Sequence, residues 1–154
     1  MKTIFNIVLA ATMIGIVACS GGDDKSSKKV DLGPPPVAAS ERITLDNKGV
    51  GPIKNVELAA IDQEMVDRGQ ELFKTNCSAC HKIEERFIGP SPKGIMKRRS
   101  PEWIMNMILD PQLMVEQDRC AKDLLVEFNG AAMANQNMTE EQARDILEYF
   151  RILE

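Results

Sequence analysis

Cys77-Ser78-Ala79-Cys80-His81 constrains this chain more than any other run in it. Two thiols three residues apart, followed at once by an imidazole, form the C-x-x-C-H pattern of covalent haem attachment. The spacing has a reason. Cysteines one helical turn apart reach the two vinyl groups on one edge of a porphyrin, and the adjacent histidine turns its ring onto the iron. That histidine is the only one in the chain, which excludes multi-histidine metal sites and confines zinc to cysteine-rich ones. Three other uses of the motif compete with haem. A thioredoxin-like dithiol needs the pair at the end of a strand in an α/β chain, and no segment here alternates with period two. A zinc site would take Cys120 as fourth ligand without a second closely spaced pair. A Cys77–Cys80 disulfide is open only while no haem is attached.

Around the motif the hydrophobic period is helical, and the expected class is all-α. Asp62 stands as an N-cap before Met65, Gly69, Leu72 and Phe73, which share one helix face, and this helix fades at Thr75-Asn76. Ser100-Pro101-Glu102 opens a second helix through Trp103–Leu109, stopped by Asp110-Pro111. A shorter third spans Arg119–Phe128 and ends at Asn129-Gly130. Thr139 and Gln142 form a capping box for the last, whose buried stripe is Ala143, Ile146, Leu147 and Phe150. Four short helices bury little by themselves, and a domain of this size needs a disulfide, metal or cofactor as a staple. The stretch Lys82–Arg99, with Gly89-Pro90, Ser91-Pro92 and Gly94, has no period at all. Something must order it.

The N-terminus speaks of place. Met1-Lys2 and the apolar run Ile4–Ala18, interrupted by Asn6 and Thr12, are too short and too polar for a membrane span. Ile16-Val17-Ala18-Cys19 resembles the bacterial lipoprotein cleavage box, with Ile16 where leucine is usual. The resemblance implies that residues 1–18 are a signal peptide and that Cys19 carries diacylglycerol, anchoring the chain to a membrane outside the cytoplasm. Residues 19–61, with Gly21-Gly22, Ser26-Ser27 and Pro34-Pro35-Pro36, show no period and read as a flexible linker. Within them Gly49–Ile53 is less polar and is expected against the domain, which spans residues 62–154. A formal charge of −4 argues against nucleic acid as a partner.

Taken together, residues 62–154 resemble the class I c-type cytochromes. The likeness is carried by Gly69, Phe73, Cys77, Cys80, His81, Gly89-Pro90, a later methionine and Tyr149-Phe150. It implies a small all-α fold wrapped round one covalent haem c, with first and last helices crossing closely at Gly69. It implies that the Pro90 carbonyl takes the Nδ1 proton of His81, leaving Nε2 for iron. The distal ligand is then a thioether before the last helix. Met133 fits if Ala134 replaces the usual proline, with Met138 as a hydrophobic staple; Met138 is the other candidate. Arg98, Arg99 and Trp103 lie where family members contact the haem propionates. Cys120 is left as a small buried apolar residue.

His/Met ligation leaves no open iron position, so the implied activity is one-electron transfer rather than catalysis. The implied partners are redox proteins that dock transiently, a membrane donor and a terminal reductase. The runs Arg98–Pro111 and Met133–Arg151 also resemble the small lipoprotein cytochromes that accompany nitrous oxide reductase in some bacteria. The rival class is a haem sensor or ligand-binding protein whose distal methionine is displaced by a small gas.

Overall fold

Polar residues that mark helix starts in the sequence cap helices in the computed structural model, which describes residues 37–154. The Asp62 carboxylate accepts from the N–H groups of Glu64 and Met65 and opens α1, Gln63–Asn76. Ser100 accepts from Trp103 N–H to open α2, Pro101–Leu109. Asp110 caps α3, Pro111–Gln117, and Asp118 caps α4, Arg119–Glu127. Thr139 and Gln142 complete a reciprocal capping box on α5, Glu140–Arg151. A single 3₁₀ turn, Ile95–Lys97, sits in the loop between α1 and α2. The described residues contain no strand, only one isolated bridge between Thr44 and Arg99. The all-α expectation holds, with five α-helices in place of four.

The extra helix is α3. Asp110-Pro111 does end α2, but the same pair starts α3. Asp110 is both C-cap and N-cap, and Pro111 occupies the first turn, where its missing N–H matters least.

α1 and α5 form the main helix pair. A Cβ on Gly69 would lie 2.0 Å from the Asp145 carbonyl oxygen and 3.0 Å from Tyr149 Cβ, so only glycine permits this crossing. Phe73 of α1 packs edge-on against Phe150 and tilted against Tyr149, both at 5.8 Å between ring centroids. Below the aromatics Val66, Ile146 and Leu147 are buried, and α2 closes the core with Trp103, Ile104 and Ile108.

The sequence boundary at residue 62 needs correction. Residues 19–36 and Cys19 lie outside the described residues, but from residue 37 onward the expected linker is a strap fixed to the helices. Ala39 and Ile53 are buried. The Asn106 amide, itself buried, receives the N–H of Ile53 at 3.0 Å and donates to the carbonyls of Lys48 and Ile53. Thr44 N–H reaches the Arg98 carbonyl at 2.9 Å, and Ser100 Oγ–H reaches that of Asn47. The Asn106 side chain, the Ser100 cap and the Arg98 backbone satisfy the strap's backbone, so it docks without any hydrophobic period. The less polar Gly49–Ile53 stretch does lie against the helices, as its composition suggests: Gly51 leaves no room for a Cβ beside Asn106.

Candidate functional site

The C-x-x-C-H run is a tight turn continuing from α1. Cys77 N–H bonds to the Phe73 carbonyl at 2.8 Å, and the N–H groups of Cys80 and His81 both return to the Cys77 carbonyl, at 3.0 and 2.9 Å. Both thiols are free. Burial pushes the Cys77 thiol up to about 11, and neighbouring Cys80 adds to the same direction. A redox dithiol needs the opposite at its attacking cysteine, a stabilised thiolate.

His81 is held from two sides. Its Nδ1 lies 2.8 Å from the Pro90 carbonyl oxygen, which can only accept, so the proton sits on Nδ1 and Nε2 keeps its lone pair. Beneath the ring, a Cβ on Gly89 would come within 2.4 Å of His81 Cε1. Glycine at 89 lets the backbone lie flat against the imidazole, and Gly89 N–H ties back to the Cys80 carbonyl at 2.9 Å. The loop without period is thereby folded onto the histidine.

Cys77, Cys80, His81 and Pro90 border a cavity of about 220 Å³ that also takes in Met133. Its walls are mainly apolar, from Phe73, Ile104, Ile108, Leu124, Ile146 and Phe150. The two candidate methionines separate here. Met133 lines the cavity, whereas Met138 packs against the core of buried residues beside α5. Met107 of α2 also lines the cavity, a placement its helical spacing does not announce.

Arg98, Arg99 and Trp103 line it as well, with their polar groups already engaged in different degrees. Trp103 Nε1–H donates to Asp118 at 3.0 Å, so its indole presents the ring, not the N–H, to the cavity. Arg99 is buried and stacks over Trp103 at 5.2 Å. Its Nη groups donate to the carbonyls of Ala39 and Arg42 on the strap, and its Nε–H has no partner. Burial pushes the guanidinium below its ordinary value, with Arg98 and Arg42 adding to that direction. Arg98 donates to the Ser91 carbonyl at 3.3 Å. Cys120 is buried, and burial pushes its thiol up, as expected of an inert small apolar residue. Sequence reasoning missed Asp118. It caps α4, fixes Trp103 and accepts from Asn47 at 2.8 Å; the only signal was its position before Arg119.

These residues fit a haem. An apolar cavity flanked by two thiols, an imidazole with a fixed tautomer and a thioether matches the donor set of a covalent haem c. The orphaned, buried Arg99 Nε–H suits an anionic acceptor.

Comparison with known proteins agrees. The family model for cytochrome c matches residues 66–154. A cytochrome c from Rhodothermus marinus is 40% identical, aligning with 78% of this chain and 97% of its own, with a TM-score of 0.65. An engineered form of that protein, bound to a carbene intermediate, aligns with 75% of this chain and 94% of its own, at 40% identity and a TM-score of 0.62. A cytochrome c-553-like protein of Synechocystis is 40% identical over 47 residues, 30% of this chain. The chain spans 45% of the length of that curated relative.

Proposed function

Since the chain belongs to the cytochrome c family, we propose that it is a membrane-tethered one-electron shuttle outside the cytoplasm, with His81 and Met133 as iron ligands. In that family haem c is bound covalently through the cysteine pair, here Cys77 and Cys80, and the family's work is electron transfer. Bound here, the haem supplies a ferric/ferrous couple. The chain's residues do the rest. Pro90 and Gly89 hold His81 in one tautomer and one orientation. Met133 offers a neutral thioether, which favours the ferrous state, and the apolar walls keep water away from the charge that changes. The observation that carries this reading is the meeting of Cys77, Cys80, His81 and Met133 on one apolar cavity.

The partner face is where Cys80, Phe87 and Ile88 are exposed beside the cavity. Besides the buried Arg99, residues 74–99 hold six basic and two acidic side chains in a chain whose formal charge is −4. That asymmetry favours a redox partner with an acidic rim, met by weak, fast docking. A membrane oxidoreductase serves as donor. A terminal reductase of the nitrous oxide reductase kind serves as acceptor, a choice supported by the resemblance of residues 98–111 and 133–151 to the small lipoprotein cytochromes. The anchor is lipid on Cys19. No helix among the described residues is long and apolar enough to cross a membrane.

Visible spectra of the haem-loaded full chain, oxidised, reduced and reduced under carbon monoxide, test the ligand set. A low-spin spectrum with a sulfur-to-iron charge-transfer band and no response to carbon monoxide is expected; a high-spin or gas-reactive spectrum moves the protein to the sensor class. Cys19→Ser should release the haem protein into the aqueous fraction, and unchanged membrane retention would sink the anchor.

A further inference from the structure

The two loops that supply the iron ligands are tied to each other at one point. Arg86, five residues past His81, donates through Nη1 to Glu127 Oε1 at 2.7 Å and through Nη2 to the Glu127 carbonyl at 2.6 Å. Its guanidinium lies 3.9 Å over the Phe128 ring. Glu127 ends α4, and Phe128 starts the run that leads to Met133; both Phe128 and Met133 line the cavity. The same carboxylate takes a third segment, the strap, by accepting from Ser40 N–H at 2.8 Å and Ser40 Oγ–H at 2.7 Å, and Ser40 also lines the cavity.

Beyond that point the Met133 loop is held by little. Asn129, Gly130 and Ala131 bond back to α4 and Phe128. From Ala132 to Met138 only two hydrogen bonds are made among the described residues, Asn137 N–H to Asn135 Oδ1 and Gln136 Nε2–H to the Ala134 carbonyl, both inside the loop. Asn137 is also in the left-handed region, at φ 54°. From Phe128 to Thr139 the sequence has no charge, so no ion pair compensates. The position of the Met133 loop against the His81 loop therefore depends on its anchored start, which is the Arg86–Glu127 junction.

We propose that Arg86 and Glu127 form a clasp between the His81 loop and the Met133 loop, and that this clasp sets how readily Met133 leaves the iron. Both are positioning residues; neither touches the ligand atoms. The proposal rests on Met133 as the distal ligand. It also explains why Glu127 is largely covered yet charged: Ser40 and Arg86 between them occupy both its oxygens, so strap, proximal loop and distal loop share one fastening.

The test is a double-mutant cycle on the haem-loaded full chain, with Glu127→Gln, Arg86→Gln and both together. The readouts are the carbon monoxide-reactive fraction of the reduced protein, the sulfur-to-iron band in the oxidised one, and the urea unfolding midpoint. Each single variant should raise the carbon monoxide-reactive fraction about fivefold, the size expected for one partly covered ion pair with a single bond to the carboxylate. The double variant should be no worse than either single, because the two act as a unit. Ser40→Ala should give a smaller rise of the same kind. Variants that lower the unfolding midpoint but leave the reactive fraction and the band unchanged overturn the clasp and leave Met133 as ligand. Additive effects of the two singles overturn it too. A wild type that binds carbon monoxide freely overturns the ligand assignment and the clasp with it.

Discussion

Replacing Gly69 by alanine tests whether the closeness of α1 and α5 holds the molecule together. The added Cβ would sit 2.0 Å from the Asp145 carbonyl oxygen and 2.6 Å from the Asp145 carbonyl carbon, where ordinary contacts begin at 3.4 Å. Both obstructing atoms are backbone, so no side chain can swing aside; the helices must part by roughly an ångström. A gap of about 0.5–1 Å already forfeits a quarter to a half of each van der Waals contact across it. The contacts concerned belong to Val66, Phe73, Ile146, Tyr149 and Phe150. Overpacking of this kind costs about 1–3 kcal/mol, and a clash against backbone belongs at the top of that range. Alanine recovers about 1 kcal/mol through its better helix propensity. The net loss is about 2 kcal/mol, which lowers the urea midpoint by about 1 M for a protein of this size. Equilibrium unfolding of the haem-loaded protein, followed by far-ultraviolet circular dichroism, reads it directly. An unchanged or raised midpoint would mean that the crossing yields freely, and the argument from Gly69 would be wrong.

Met133→Ala should remove the sulfur-to-iron band, open the iron to carbon monoxide and lower the potential, whereas Met138→Ala and Met107→Ala should keep the band; loss of the band in either of the latter reassigns the ligand. Gly89→Ala puts a Cβ 2.4 Å from His81 Cε1, so it should break the Pro90 bond and shift the potential while the far-ultraviolet spectrum stays unchanged. Burial works to raise the Glu148 carboxyl, but Arg151, Arg144 and the Asp62 N–H outweigh it and hold it below its ordinary 4.5; Glu127 behaves likewise through Ser40 and Arg86. A depressed carboxyl stabilises above that value and the contribution is lost as pH falls below it, so the urea midpoint should drop from about pH 5 downward, with a shallower fall in Glu148→Gln. Deleting residues 1–36 should leave the unfolding midpoint unchanged, while deleting 1–61 should prevent stable folding, because Asn106, Arg99 and Glu102 lose buried partners worth about 1–3 kcal/mol each. Equal midpoints for the two deletions would refute the strap's role.

Helix starts were legible because a cap is a local device. Asp62, Ser100 and Thr139 each bond to an N–H two or three residues ahead, and the sequence carries both ends of that bond. α3 escaped notice because Asp110-Pro111 reads equally as a stop and as a start, and only the packing of α3 on α4 decides between them. At the site, the C-x-x-C-H run and Gly89-Pro90, which meet at His81, were legible as a fixed motif and a nearby turn. Met133, in contrast, came from the resemblance and is placed here as a lining residue of the same cavity. Trp103 shows the limit. Its place beside the cavity followed from the resemblance, but its N–H goes to Asp118, fifteen residues on, a choice that neither residue announces.

The strap marks where pattern reading fails in principle. Period analysis detects segments that bury side chains in register, and residues 37–61 bury few: Ile43, Leu45 and Leu58 stay exposed. What fastens the segment is its backbone, which any sequence carries, bonded to side chains whose role is visible only once they face it. Asn106 reads as a polar interruption in the apolar run of α2, yet it is buried and serves both backbone groups of Ile53. Arg99 reads as one of two loop cations, yet its Nη groups are spent on the carbonyls of Ala39 and Arg42. A buried polar residue on a helix with no partner nearby in sequence is therefore a pointer: some distant backbone must satisfy it, since leaving it bare would cost about as much as the helix face gains. Here Asn106 on α2, with Arg99 just ahead of that helix, called for a covering segment, and residues 37–61, which pattern alone reads as linker, supply it.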